Sequence, residues 1–238
     1  MLLGDCNQRE AALALDGNTV ALLPLGAVEV HGNHLPLLTD LYLAQGVCRL
    51  VSERVEGAVT LPGMPYGQIW SLRDKKGCLS VSDQTLSALL CEIGRSLYAQ
   101  GVRRYAVVNG HVGNVNAMKA TQRVLYDECD LKMYAFTYPG VGPAQRQVLT
   151  TPRPHPVYFH ACEIETSYML YLRPDRVDMA QAICQYPAFP PAMEALPTPW
   201  SAFMDTAVMG DATAATAEKG KAMIDAVVET IVRLLKEE

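Results

Sequence analysis

Residues 20–40 read VALLPLGAVEVHGNHLPLLTD, an apolar run followed by a turn that carries histidines and carboxylates. The run over 20–25 has the length and composition of a buried strand. The glycines and polar residues after it are typical of the point where a strand ends and the chain turns. In parallel sheets, ligand sites form at the carboxyl ends of the strands. This segment therefore predicts a strand that delivers reactive side chains to one edge of a sheet.

Strands and amphipathic helices alternate along the rest of the chain. Apolar residues at helical spacing predict helices over about 41–54, 82–99, 114–127, 163–172 and 215–235. Short apolar runs predict further strands at 59–61, 104–109 and 131–138. Two proline-bearing stretches, 139–156 and 186–199, are expected to be loops. The alternation predicts an α/β protein with a mainly parallel sheet and helices on both faces.

Composition narrows the class of protein. The chain has 238 residues, of which 50% are hydrophobic and 19% are charged, so we expect one folded domain over 1–238. A net charge of −5 without a basic run argues against a general nucleic-acid partner. No apolar stretch is long enough to span a membrane, and the N-terminus lacks the features of a signal peptide. Seven widely spaced cysteines predict reduced thiols, most of them in the core, and a cytoplasmic protein.

The five histidines mark the candidate chemistry. His31 and His34 lie in the turn after the first strand, and His111 lies in the sequence NGHVGN after the third. His160 begins the sequence HACEIETS, while His155 stands apart between two prolines. Because the carboxyl ends of parallel strands meet at one edge of a sheet, the first two turns are expected to lie close together.

Glu29 and His31 are two residues apart in an extended segment, so their side chains point to the same side. Other side chains can complete a mixed nitrogen and oxygen site: Asp40, His111 and either Glu163 or Glu165. Such a set suits Zn²⁺, Mn²⁺ or Fe²⁺, and a pair of these ions can activate water and stabilise an oxyanion. On a helix, Glu163 and Glu165 point about 200° apart, so only one of them can face the metals.

Other readings of these residues compete with metal binding. The glycine turn at 109–114 could cradle a phosphate, although the chain has neither GxxxxGK[ST] nor GxGxxG. No GxSxG sequence follows a strand, so a serine hydrolase is not indicated. A histidine in a turn is often only a hydrogen-bonding or surface residue. Spacing alone therefore leaves both a metal site and a structural role open.

Four stretches of the chain resemble the creatininase family of metal-dependent amidohydrolases. They read LPLGAVEVHGNHLPLLTD (23–40), VNGHVGN (108–114), HACEIETS (160–167) and GDATAATAEKG (210–220). The stretches occur in the family's order and span most of the chain. The resemblance implies a three-layer α/β/α sandwich, a centre of two divalent ions (Zn, Mn or Fe) and, often, a hexamer.

The resemblance also implies a ligand set, which we carry over by position. Glu29 and His111 would hold one ion and His31 the other, while Asp40 would bridge both. Creatininases have a ligating glutamate two residues after the equivalent of His111, where this chain has Gly113. Glu165 in the ETS sequence is then the candidate for the missing ligand.

The roles of the remaining histidines follow from the same resemblance. His160 corresponds to a family histidine that handles protons near the substrate, and it would donate one to the leaving nitrogen. A structural hydrogen bond at the start of a helix is the alternative role. His34 is expected to support the loop rather than to ligate. Glu163 would be a supporting or solvent-facing residue if Glu165 faces the metals.

The segment YGQIWSLRDKKGC (66–78) departs from the family pattern. Many relatives carry a Glu-His pair and a Pro-Gly-Thr turn in this loop. Here Arg73 and Lys75, with Lys76, form a positive cluster that either faces solvent or contacts a polar or anionic substrate. Trp70 could stack on a substrate ring or could simply pack. Creatinine itself is therefore not the expected substrate.

The expected activity is hydrolysis of a small cyclic amide or related amide. A hydroxide activated by two metals would attack the carbonyl, and His160 would protonate the leaving group. The principal alternative is opening of a cyclic keto-inositol by carbon–carbon cleavage. Further alternatives are a formamide deformylase and a peptidase acting on a modified peptide.

A non-catalytic alternative is a metal-stabilised small-molecule sensor. It would have a closed ligand shell, whereas an enzyme keeps an exchangeable position on the metal. The expected partners are a small-molecule substrate and further copies of this chain, as a hexamer by resemblance, without nucleic acid or membrane.

Overall fold

A computed structural model describes residues 1–237. At the centre of the fold is a parallel sheet. Within these residues the sheet has four strands in the order β2-β1-β3-β4. The strands are β1 (Val20–Leu25), β2 (Ala58–Thr60), β3 (Arg104–Asn109) and β4 (Lys132–Phe136). β1 pairs along its whole length with β3, from Val20 opposite Arg104 to Leu25 opposite Asn109. The ends of β1 and β3 therefore lie side by side.

Helices cover both faces of this sheet. They are α1 (Gln8–Ala14), α2 (Thr39–Ser52), α3 (Asp83–Ala99), α4 (Val115–Glu128), α5 (Val141–Val148), α6 (Glu163–Leu172) and α7 (Ala217–Lys236). Two more strands, β5 (Cys184–Gln185) and β6 (Gly210–Asp211), form a small antiparallel pair outside the sheet. The ends of several helices have ordinary caps; for example, the Ser82 hydroxyl accepts a hydrogen bond from Thr85 N at the start of α3.

Alternate residues of β1 belong to two different cores. Val20 and Leu22 pack with residues of α2, α6 and α7, whereas Ala21, Leu23 and Leu25 pack with residues of α3 and α4. All six residues of β1 are buried because both faces of the sheet are covered. The predicted three-layer α/β/α class is therefore confirmed.

One secondary-structure prediction was wrong. Residues 139–156 were expected to be a loop, but α5 occupies the first half of this stretch. Pro143 lies in the first turn of α5, where a backbone N–H has no partner within the helix, so proline is tolerated there. Gly140, at φ 76°, makes the left-handed turn into the helix, and Val148 packs against the core that contains α7. Proline content alone therefore did not identify a loop.

The N-terminal segment also forms a helix that apolar spacing did not predict. Asn7 caps α1 through its side chain, and Glu10 returns a hydrogen bond to the Asn7 backbone. All seven cysteines are free, but only three of them are buried, so the expectation that most lie in the core was wrong. No helix in residues 1–237 is both long and apolar enough to cross a membrane.

α6 and α7 lie in unusually close contact, and a glycine makes the contact possible. A Cβ atom added to Gly220 would lie 1.9 Å from the carbonyl oxygen of Ser167. Thr216 N, just before α7, donates a hydrogen bond to the Ser167 hydroxyl at 3.2 Å. This contact fixes α6, the helix that carries Glu163 and Glu165, against the longest helix of the fold.

Replacing Gly220 with alanine should therefore push the two helices apart. We expect Gly220→Ala to lower the free energy of unfolding by about 1–3 kcal/mol, measured by urea denaturation. Gly142→Ala is the matched control, because an alanine Cβ in α5 would meet only the tip of Arg146 at 3.5 Å. That variant should be unchanged or more stable by up to about 1 kcal/mol. Equal stabilities of the two variants would contradict the close contact.

Candidate metal centre

Five ionisable side chains meet where β1 and β3 end. Glu29 and His31 follow β1, His111 follows β3, and Asp40 and Glu165 lie in the first turns of α2 and α6. Four of them are buried in the protein, and the side chain of His111 is 12% exposed. Because buried charges require a partner of opposite charge or a metal ion, such a cluster needs a compensating group.

The carboxylate of Asp40 lies between two imidazole rings. Asp40 Oδ1 is 3.2 Å from His31 Nε2, and Asp40 Oδ2 is 3.2 Å from His111 Nδ1. His111 Nδ1 is also 3.2 Å from Glu29 Oε2. Among the described residues, the candidate ligand atoms form three groups, in each of which the atoms lie within 4.8 Å of one another. Two of these groups share Asp40: Glu29-Asp40-His111 and His31-Asp40-Glu165. The third, Glu29-His31-His160, does not contain Asp40.

Backbone carbonyls orient both rings. His31 Nδ1 lies 3.1 Å from the carbonyl oxygen of Glu29, and His111 Nε2 lies 2.7 Å from that of Gln68. A ring nitrogen that donates its proton to a carbonyl leaves the other nitrogen with a free lone pair. His31 Nε2 and His111 Nδ1 are therefore the nitrogens that can bind a metal, and both face Asp40.

Two buried atoms of this cluster, His31 Nε2 and Asp40 Oδ2, make no hydrogen bond and have only ionic contacts of 3.2 Å, to Asp40 Oδ1 and His111 Nδ1 respectively. Unpaired buried polar atoms are rare in folded proteins, and each one calls for an explanation. Nitrogen and carboxylate oxygen donors suit Zn²⁺, Mn²⁺ and Fe²⁺. The donor set and the unpaired atoms therefore both fit divalent ions.

The electrostatics of the cluster lead to the same conclusion. Burial alone would lower the pKa of His31, but the nearby Asp40 carboxylate raises it to about 9. Burial would likewise lower the pKa of His111, and the Glu29 and Asp40 carboxylates raise it well above its usual value. Burial raises the pKa of Glu165 to about 7. In the metal-free protein, protons on the two histidines therefore balance the carboxylates, which is the role that cations would take over.

His160 lies beside this cluster and is held by a backbone carbonyl. Its Nε2 is 2.7 Å from the carbonyl oxygen of Val30, and its ring centroid is 4.2 Å from that of His31. Burial, and then the charge of His31, lower the pKa of His160 to about 4, so the ring is neutral at pH 7. Its backbone pairs with Met209 in an isolated bridge. The ring is therefore fixed both in position and in tautomer.

Only one of the two glutamates of α6 faces the cluster. Glu165 belongs to a candidate ligand group, and its Oε2 accepts a hydrogen bond from Ala161 N at 2.5 Å. Glu163 instead accepts hydrogen bonds from Thr150 N and Thr151 N and forms a buried ion pair with Lys219. The structure thus brings Glu165 to the cluster and directs Glu163 away from it.

His34 contacts α6 rather than the ligand groups. Its Nε2 lies 2.9 Å from the hydroxyl of Thr166, the residue next to Glu165. The ring is 1% exposed and belongs to none of the ligand groups found in residues 1–237. His34 thereby connects the turn after β1 to the helix that carries Glu165.

A cavity of about 160 Å³ opens onto this cluster. Its walls include the predicted Trp70 and also Trp200, which sequence reasoning missed. The Trp200 ring meets the His160 ring edge-on, at 5.6 Å between centroids. The backbone N–H of Trp200 donates a hydrogen bond to the carbonyl oxygen of Ser71 at 2.8 Å. This contact joins distant segments, so no local sequence pattern reveals it. The sequence feature that could have pointed to Trp200 is the scarcity of tryptophan, since the chain has only two.

The positive cluster of the 66–78 segment lies outside this cavity. The Arg73 guanidinium lies over the Trp70 ring, 4.5 Å from its centroid. Lys75 Nζ donates a hydrogen bond to the carbonyl oxygen of Asp205 at 3.0 Å. Neither side chain is among the residues that line the cavity in the described part of the chain. Arg73 therefore supports Trp70 from outside, and Lys75 ties two loops together.

Gly113 allows close packing against His111. A Cβ atom at this position would lie 2.3 Å from the carbonyl oxygen of Gln68 and 2.4 Å from His111 Nε2. The Gln68 segment thus fills the space that a side chain at 113 would need. The geometry explains why this position holds glycine rather than a ligating glutamate.

Comparison with known proteins supports this description. The family described as creatininase, creatinine amidohydrolase, matches residues 4–235. A creatinine amidohydrolase of Pseudomonas putida is 29% identical over 245 residues, covering 93% of this chain and 90% of the relative. A mycofactocin precursor peptide peptidase of Mycobacterium tuberculosis is 33% identical over 226 residues, covering 89% of this chain and 82% of the relative.

Solved structures agree with the sequence relatives. A structure described as "Creatininase Mn" is 28% identical, has a TM-score of 0.82 and covers 99% of this chain and 97% of its own. A mutant creatininase of Zn-Zn type is also 28% identical, with a TM-score of 0.81 and the same coverage. The resemblance found in the sequence is thereby confirmed, as is an amidohydrolase with a site suited to divalent metals.

Gly113→Ala should disturb His111 without touching a ligand atom. The new methyl group must displace the Gln68 carbonyl or the imidazole, so we expect metal affinity to fall by about 10- to 100-fold. Isothermal titration of the metal-free protein with Zn²⁺ measures this. Val112→Ala, at the neighbouring position that is 58% exposed, is the control and should keep the affinity of the unmodified protein. An unchanged affinity in Gly113→Ala would contradict the role of the Gln68 carbonyl.

Proposed function

Because this chain belongs to the creatininase family, we propose that it is a metal-dependent hydrolase of a small cyclic amide or a related amide. The observation that carries the proposal is the pair of ligand groups that share the carboxylate of Asp40. Both groups lie at the floor of a cavity, so a substrate could reach the ions. An open site of this kind supports an enzyme over a sensor with a closed ligand shell.

The two groups assign the ligands of two divalent ions (Zn, Mn or Fe). Glu29, Asp40 and His111 would hold one ion, and His31, Asp40 and Glu165 would hold the other. When bound, such ions lower the pKa of a water molecule and polarise a carbonyl group. Three of the five ligands are carboxylates, and their negative charges offset most of the positive charge of two divalent ions.

His160 is the proposed proton-transfer residue. Its Nε2–H is engaged by the carbonyl oxygen of Val30, which leaves Nδ1 as the proton acceptor. A neutral imidazole can take a proton from the attacking water and pass it to the leaving nitrogen. Trp200, in edge contact with His160, would limit the movement of the ring during this transfer.

The cavity favours small substrates. A volume of about 160 Å³ is below the usual 300–1,000 Å³ of ligand pockets. None of its lining residues within the described chain is a lysine or an arginine, so the bound metal ions would be the cationic groups that a substrate meets there. Trp70 and Trp200 offer apolar faces to a flat amide.

A second candidate function is cleavage of a modified peptide. It is supported by the 33% identity to a mycofactocin precursor peptide peptidase, compared with 29% to a creatinine amidohydrolase. Opening of a cyclic keto-inositol and deformylation of a formamide stay predictions from the resemblance. A hexameric assembly and a cytoplasmic location stay predictions as well.

The two glutamates of α6 provide a matched test of the ligand assignment. Glu165→Gln should lower the metal content from two ions per chain to about one and abolish turnover, because it removes a ligating charge. Glu163→Gln should keep both ions but lose about 1.5–3 kcal/mol of stability, because Lys219 and the Thr150 and Thr151 amides lose a charged acceptor. Elemental analysis and urea denaturation measure the two effects. Metal loss in Glu163→Gln but not in Glu165→Gln would reverse the assignment.

The reaction itself is tested by turnover on a substrate panel. Metal-loaded protein should hydrolyse at least one cyclic or linear amide in a panel that also contains creatinine, formamides, short peptides and cyclic ketones. His160→Ala should keep two ions and lose at least about 100-fold in kcat, since it lacks the proton acceptor. Turnover of ketones without any amide would contradict amide hydrolysis. Metal loss in His160→Ala would make His160 a ligand.

A further inference from the structure

A second cavity adjoins the one at the metal centre. It has a volume of about 610 Å³ and is bounded by residues 155–158 and 189–194; we name it the outer groove. Val157 and Tyr158 line both cavities. The outer groove therefore adjoins the candidate active site at these two residues.

Aromatic rings form an unbroken series from the metal centre to the outer groove. The His160 ring contacts Trp200, and Trp200 contacts Tyr158 with 5.9 Å between centroids. Tyr158 stacks on His155 at 4.8 Å, and His155 contacts Phe189 at 4.7 Å. Trp200 and Tyr158 line the inner cavity, and Tyr158, His155 and Phe189 line the outer groove, so both offer ring surfaces, which favour apolar and aromatic groups.

Backbone hydrogen bonds hold the shared wall in place. His155 Nδ1 accepts from Val157 N at 3.1 Å and from Tyr158 N at 3.3 Å. These bonds fold the segment around the His155 ring and present the side chain of Val157, which is 67% exposed, towards both cavities. A surface that is already ordered binds a ligand with less loss of conformational entropy.

The charge of the outer groove is low. Among the residues that line it in the described part of the chain, Glu194 is the one with a formal charge at neutral pH. The remainder of the wall is supplied by proline, valine, methionine and ring-bearing side chains, the last including His155. An uncharged group fits this lining, whereas a carboxylate or a phosphate would find no cationic side chain there.

We propose that the outer groove binds an uncharged, ring-bearing extension of the substrate whose amide lies at the metal centre. This inference rests on the proposed function, because it places the extension on the same molecule. It assigns the substrate class as amides with an aromatic or alicyclic substituent, which need more space than the inner cavity offers. Phe189 and Met193 would be the contact residues at the far end of the groove.

Hydroxamates test the proposal because the hydroxamate group chelates divalent ions. Acetohydroxamate probes the metal centre alone, whereas 5-phenylpentanohydroxamate carries a ring that can reach the outer groove. Binding to the metal-loaded protein can be followed by tryptophan fluorescence, since both tryptophans line the inner cavity. We expect the phenyl compound to bind about 10- to 100-fold more tightly.

Variants of the groove residues show which side chains cause the tighter binding of the phenyl compound. Met193→Ala and Phe189→Ala should each reduce the ratio of the two dissociation constants by about threefold or more. Leu196→Ala removes a side chain of the same segment that is 62% exposed and lies outside the groove lining. It should leave both dissociation constants unchanged. Met193 is half-buried and lies in a short turn, so its variant keeps the test valid if Phe189→Ala fails to fold.

The outcomes separate this inference from the proposed function. Equal affinities of the two hydroxamates, or a ratio that neither groove variant alters, would overturn the inference while leaving the metal centre intact. Failure of both hydroxamates to bind would overturn the proposed function, and the inference with it. A change of molecular mass in the groove variants with an unaltered ratio would make the groove an interface between copies and would also overturn it.

Discussion

The buried carboxylate of Asp40, held between the imidazoles of His31 and His111, is the interaction on which the site depends. A carboxylate with 1% exposure is stable only next to compensating charge. Its two oxygens face different rings, and this divides the cluster into two ligand groups. The geometry of the site therefore depends on how the surrounding fold positions the side chain of Asp40.

Close backbone contacts position Asp40. A Cβ at Gly110 would lie 2.1 Å from the carbonyl oxygen of Asp40, and a Cβ at Gly26 would lie 2.4 Å from Leu41 N. Glycines at the ends of β3 and β1 thus let the first turn of α2 lie directly on the strand ends. That turn carries Asp40, and the positive end of the helix dipole favours a carboxylate there. The orientations of the His31 and His111 rings depend on main-chain carbonyls as well.

Much of this arrangement could be predicted from the sequence, because it depends on local rules. The apolar run of β1, the two-residue spacing of Glu29 and His31, and the convergence of strand ends are local or topological properties. The choice between Glu163 and Glu165 was not accessible from the residues alone, since it depends on the rotation of α6. The close contact of Gly220 with Ser167 sets that rotation, and the contact joins residues far apart in sequence. Trp200 was missed for the same reason: a hydrogen bond to the distant Ser71 brings it to the cavity.

The central claim, that Asp40 bridges two divalent ions, is tested most directly by anomalous diffraction from crystals grown with Mn²⁺. Two anomalous peaks are expected for each chain, one beside Asp40 Oδ1 near His31 and Glu165, and the other beside Asp40 Oδ2 near His111 and Glu29. A single peak, or two peaks of which one does not contact Asp40, would contradict the shared-carboxylate centre.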